Sequence, residues 1–173
     1  MLIRVSLALI VSALLITGMF FSSAQNSLNA PLNLGSELRV FEVRQGDGLI
    51  RVLNALESEA LVESATKIRV GLGLRSKSLV VKRGEYQLVE GESVLELLER
   101  MDRNDVILYP ITIPEGVTFR WFLTALWEHP QLARVLDDPQ DKRLLSLIQP
   151  YASPEGLFLP ETYLIQRGDT DLD

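Results

Sequence analysis

The chain has no cysteine and a single histidine, His129, so its residues offer neither a disulfide framework nor the ligands of a zinc or redox-metal site. Basic residues never run longer than Lys82-Arg83, and 23 acidic against 17 basic side chains leave a net charge of −6, which argues against a nucleic-acid-binding surface. No glycine-rich phosphate cradle follows a strand-like segment, and one histidine completes no Ser/His/Asp set, so no cofactor and no hydrolase triad are expected. The lack of cysteine fits export without proving it.

What is present begins with a run of apolar and small residues from Val5 to Phe21, with Arg4 as the only charge before it. Its length sits at the lower edge of a membrane-spanning helix, and Arg4 predicts a cytoplasmic N-terminus with the bulk of the chain periplasmic or extracellular. Residues 1–24 are therefore read as an inner-membrane anchor, single pass. A cleaved signal segment is the alternative, because Ser22-Ser23-Ala24 supplies the small residues a signal peptidase prefers. The polar residues after it make 25–38 a linker.

From Val40 the sequence repeats itself when aligned on Gly46, Gly91 and Gly116: FEVRQGDGLIRVLNAL, YQLVEGESVLELLERM and ITIPEGVTFRWFLTAL. Apolar pairs precede each glycine at strand spacing: Phe41 and Val43, Tyr86 and Leu88, Ile111 and Ile113. Apolar residues come after it at helical spacing, as in Val52, Leu53 and Leu56, then Leu97, Leu98 and Met101, then Phe122, Leu123 and Leu126. Each unit thus reads as strand, glycine turn, helix, with Asp47, Ser93 and Thr118 placed as helix caps. The implied fold class is α+β.

A second helix is expected over Leu61 to Leu74, weakened at its end by Gly71 and Gly73. Strand, helix, helix, strand across residues 39–104 resembles a LysM carbohydrate-binding module, and Val43-x-x-Gly46-Asp47-x-Leu49 is similar to its opening signature, although Gly48 stands where that signature has Ser or Thr. The module would bind glycan or merely space and orient the residues C-terminal to it. Residues 105–173 then read as the N-terminal portion of a truncated α+β catalytic domain, with a short helix over Asp141 to Gln149. Trp121 is expected to pack against that helix. The closing Asp169-Thr170 looks like the cap of a helix only begun.

The stretch with most chemistry is Glu155-Gly156-Leu157-Phe158-Leu159-Pro160-Glu161-Thr162-Tyr163, two carboxylates and two hydroxyls among apolar residues, kept extended by Pro160. Glu155 and Glu161 have no counterpart in the repeats, whereas Glu115-Gly116 recurs as Gln45-Gly46 and Glu90-Gly91. The nonapeptide, the Ile113-Pro114-Glu115-Gly116-Val117-Thr118 segment, the N-terminal apolar run and the LysM-like unit stand in the order found in the MltG/YceG-like endolytic murein transglycosylases, which this chain resembles. The resemblance implies a lyase that cuts peptidoglycan glycan strands between N-acetylmuramic acid and N-acetylglucosamine and leaves 1,6-anhydro ends. It implies substrate contacts at Glu115, Glu155, Pro160, Glu161, Thr162 and Tyr163, and a catalytic glutamate beyond Asp173, so that this chain alone would be an inactive fragment. Peptidoglycan, the inner membrane and cell-wall synthesis proteins are the implied partners. The rival reading is a non-catalytic, membrane-tethered peptidoglycan-binding or scaffold protein.

Overall fold

The structure, a computed structural model, describes residues 2–35, 38–75 and 79–173, with side chains from Ile10 onward. Helix α1 spans Leu2–Asn29 and so runs on through Gln25 to Asn29, the first part of the stretch read as linker. Packing explains the correction. Ala24 and Leu28 are fully buried, and they meet helix α3 (Ala65–Gly73) where Gly71 has no side chain. A β-carbon at Gly71 would stand 2.7 Å from the Ala24 carbonyl and 2.8 Å from Leu28 Cδ1, so glycine is what lets the helices approach. After Pro31 the chain stays tied down: Leu32 N donates to Glu92 O at 2.8 Å and Asn33 N to Leu61 O at 3.0 Å. Among the described residues no helix is long and apolar enough to cross a membrane. The side chains of residues 5–9, which open the expected span, lie outside the described set.

The first unit has its elements in the expected order: β1 (Val40–Val43), α2 (Leu49–Ser58), α3, β2 (Gly84–Gln87) and α4 (Val94–Arg103). β1 and β2 pair antiparallel, Phe41 opposite Tyr86, and those two side chains join Val43 and Leu88 in the core. The helical positions read from the repeat are buried as well, namely Val52, Leu53 and Leu56 on α2 and Val94, Leu97, Leu98 and Met101 on α4. The core is nevertheless wider than strand, helix, helix, strand, because Leu28 and Leu32 enter it from the N-terminal side and α4 closes it from the other. One cap differs from expectation. Gly48, not Asp47, is the N-cap of α2 and offers no side-chain bond, while Asp47 accepts from Arg44 N at 3.0 Å and from Arg51 at 2.8 Å. At the matching position Ser93 forms a full capping box with Glu96.

The second unit comprises β3 (Leu108–Thr112), α5 (Phe119–Trp127), α6 (Lys142–Leu147) and β4 (Thr162–Gln166). β3 and β4 pair antiparallel from Leu108 opposite Gln166 to Thr112 opposite Thr162. Ile111, Ile113, Phe119, Phe122, Leu123 and Leu126 bury together with Leu136 and Leu144, so the third repeat faces its core as expected. Trp121 stays 44% exposed, because it lies off the buried stripe of α5. Residues 167–173 form turns. Thr170 bridges Ala133, and Asp171 accepts from Trp127 Nε1 at 2.6 Å and from Val135 N at 2.8 Å, which holds the 130s loop in place.

Candidate functional site

The segment rich in chemistry is built from the turn that organises the rest of the chain. Gly46, Gly91 and Gly116 all have left-handed backbone, φ between 79° and 86°, and Gly156 repeats it at 78°. Glu155-Gly156 is thus a fourth copy of the turn, and the reading that Glu155 has no counterpart is corrected. What differs is the continuation. Where the other turns lead into helices, Gly156 leads into a strap that lies back on α5.

Three kinds of contact seat this strap. Phe119 N, at the start of α5, donates to both carboxylate oxygens of Glu155 at 3.0 and 3.2 Å, while the Thr118 hydroxyl accepts from Trp121 N. An anion at a helix N-terminus is stabilised by unpaired N–H groups and the helix dipole together. Phe158 then stacks on Phe119 and Phe122 at 5.2 and 4.8 Å between ring centroids, and Tyr163 meets Phe122 edge-on at 6.1 Å. Finally the strap enters the hairpin: Ile113 N donates to Glu161 O at 2.9 Å, and the hydroxyls of Thr112 and Thr162 lie 3.0 Å apart.

The expected site residues therefore separate into two groups. Glu155 and Tyr163 are engaged internally, the first on Phe119 N and the second by donating its hydroxyl to Leu159 O at 3.0 Å. Glu115, Pro160, Glu161 and Thr162 are exposed and, among the described residues, make no such internal bond through a carboxylate or ring, while Glu155 is exposed despite its bond to Phe119 N. Glu115 leaves β3 and Glu161 enters β4 at the same end of the hairpin, so two carboxylates unpaired among the described residues and the Thr112–Thr162 hydroxyl pair lie towards that end. Such a surface suits a polyhydroxylated ligand, which offers many donors to carboxylates. Leu157 and Leu159 add exposed apolar area beside it.

Sequence reasoning does not single out Phe158, although its aromatic type in an otherwise aliphatic stretch is visible, nor Glu85. Strand alternation puts Glu85 on the face of β2 opposite Tyr86, yet it is only 9% exposed. Tyr109 Oη donates to it at 2.6 Å and Arg167 Nε donates to its other oxygen. The bond from Tyr109 to Glu85 pushes the phenol above its usual range, since losing the proton would forfeit it. The ring of His129 lies edge-on to Tyr109 at 6.3 Å, with Nδ1 buried and unpartnered among the described residues. Among those residues no group of three or more His, Cys, Asp or Glu side chains is placed to hold a metal ion.

A sequence model of the YceG-like family matches residues 41–173. Among solved structures, a yceG-like protein of Listeria monocytogenes, known at 2.6 Å, is 19% identical with a TM-score of 0.35, a likeness too low to bear on the fold. The alignment covers 80% of this chain and 51% of that one, so the chain spans about half the length of the solved relative. No curated protein matches.

Proposed function

The chain belongs to the YceG-like family, and from that membership we propose that the protein acts on peptidoglycan as an endolytic transglycosylase. In this reading the glycan strand lies along the end of the β3–β4 hairpin, where Glu115, Pro160, Glu161 and Thr162 are exposed. The observation that carries it is the seating of the 155–163 strap on α5, which presents those side chains on a fixed support. Glu155 and Tyr163 hold the strap in place through their bonds to Phe119 N and Leu159 O.

The reaction cleaves the bond between N-acetylmuramic acid and N-acetylglucosamine. A carboxylic acid gives its proton to the glycosidic oxygen as the C1–O bond breaks, the muramic 6-hydroxyl closes on C1, and its proton passes to the carboxylate. One acid therefore serves both steps, unlike the paired carboxylates of ordinary glycosidases. That acid is not assigned to a residue among 1–173. Residues 39–104 bind glycan in the manner of a LysM module or space the site, and the protein works at the inner membrane. Other cell-wall synthesis proteins are its partners.

The rival reading, a non-catalytic wall-binding scaffold, is favoured by one observation: Glu155, a carboxylate of the motif, is already occupied as a helix cap. Digestion of purified sacculi with the product of the complete reading frame separates the two. Muropeptides with 1,6-anhydro ends support the enzyme; sacculus binding without them supports the scaffold.

A further inference from the structure

The face of β2 that carries Glu85 belongs to the small two-stranded sheet of the first unit, and alternation alone would leave it in solvent. The second unit covers it. Ile107 N donates to Glu85 O at 2.8 Å, Tyr109 and Arg167 hold the two carboxylate oxygens, and Val106 of the connector packs into the room Gly84 leaves, its Cγ1 2.6 Å from where a β-carbon would stand. Flanking these, Arg83 donates to Gly168 O and pairs with Asp169 at 3.0 Å, while Asn104 Nδ2 reaches Gln166 Oε1 at 3.3 Å. These contacts are polar apart from the Val106 packing, and they lie outside both hydrophobic cores except for Val106 at the margin of the first. Covalently the units meet through a short connector after α4, where Asn104 adopts left-handed backbone, φ 61°.

We propose that Glu85 is the centre of a latch between the two units: closed, it fixes the strap-bearing unit against the unit that packs on α1; released together with the Ile107 and Asn104 bonds, it lets them turn about the connector after α4 while both cores stay folded. A polar joint between apolar cores suits this role. Hydrogen bonds to an ionised carboxylate are strong and directional when made, and they exchange for water without exposing core surface when broken.

The test uses the whole chain. Because it has no cysteine, spin labels can be placed at Glu57→Cys on α2 and Lys142→Cys on α6, both exposed and neither contributing a contact to the joint, and their separation read by double electron–electron resonance. The parent should give one narrow distance distribution. Glu85→Gln and, from the other side of the joint, Arg167→Gln should shift or broaden it while the far-ultraviolet circular dichroism is kept. Arg51→Gln, which breaks an ion pair inside the first unit, should leave it unchanged. Unaltered distributions in a folded Arg167→Gln chain would overturn the latch. So would loss of the first-unit core in both joint variants, since the cluster would then be building a core instead of joining two.

Discussion

Phe119 and Glu155 lie 36 residues apart in sequence, yet the amide of one donates to both oxygens of the other's carboxylate. The bond ties the start of α5 to the start of the strap. Glu155→Ala should therefore lower unfolding stability by about 0.5–2 kcal/mol, the usual worth of a side-chain cap. Glu155→Gln, whose amide oxygen still accepts, should lose less. Urea denaturation of the two variants checks the order, and equal stability of parent and Glu155→Ala would show the bond to be incidental.

Gly71→Ala sets two effects against each other. Alanine gains up to about 1 kcal/mol of helix propensity over glycine. Its methyl group would meet the Ala24 carbonyl and Leu28, and such overpacking costs about 1–3 kcal/mol. Because one obstacle is backbone, the clash should prevail, with a lower melting temperature and α1 becoming susceptible to proteolysis near Leu28. A stabilised variant would mean that α1 does not seat on α3 as described.

Tyr86 is fully buried, its hydroxyl donating to Lys82 O at 2.8 Å, and burial raises its phenol to about 12. An unfolded tyrosine ionises near 10, so the stabilisation is complete below about pH 10 and is lost as pH rises towards 12, on the order of 2–3 kcal/mol. Tyr109, also raised, acts in the same direction. Urea midpoints at pH 9 and 11.5 should fall more steeply for the parent than for Tyr86→Phe. Parallel falls would rule out Tyr86 as the source.

For activity, Glu115→Gln and Glu161→Gln in the complete protein should raise KM for glycan strands while anhydro products persist, because both carboxylates are exposed and neither is assigned as the acid. Muropeptide analysis over a range of sacculus concentrations checks this. Loss of all anhydro product in Glu161→Gln, with binding retained, would instead make Glu161 the proton donor.

The residues legible from sequence are those whose partners are near in the chain or whose burial follows a period. Phe41 and Val43, Tyr86 and Leu88, and the apolar stripes after each glycine lie in the cores because strand and helix spacing fix which way they point. Ser93 and Thr118 cap for the same local reason; Asp47 fails because glycine occupies the equivalent place. Glu155, Glu85 and Gly71 escape a local reading because each answers to a distant segment: Phe119, the end of β4, and α1 respectively. The strap is recognisable as unusual but not as folded back, since nothing local announces that Phe158 stacks on α5.

The burial of Ala24 also bears on the order of events in the protein's maturation. A peptidase that cuts after small residues needs its target extended and reachable, whereas here Ser22 to Ala24 is helical and Ala24 has no exposed surface once α1 rests on α3. Any processing between Ala24 and Gln25 thus competes in time with the docking of α1. Slow docking would leave the bond open to cutting, and prompt docking would shelter it.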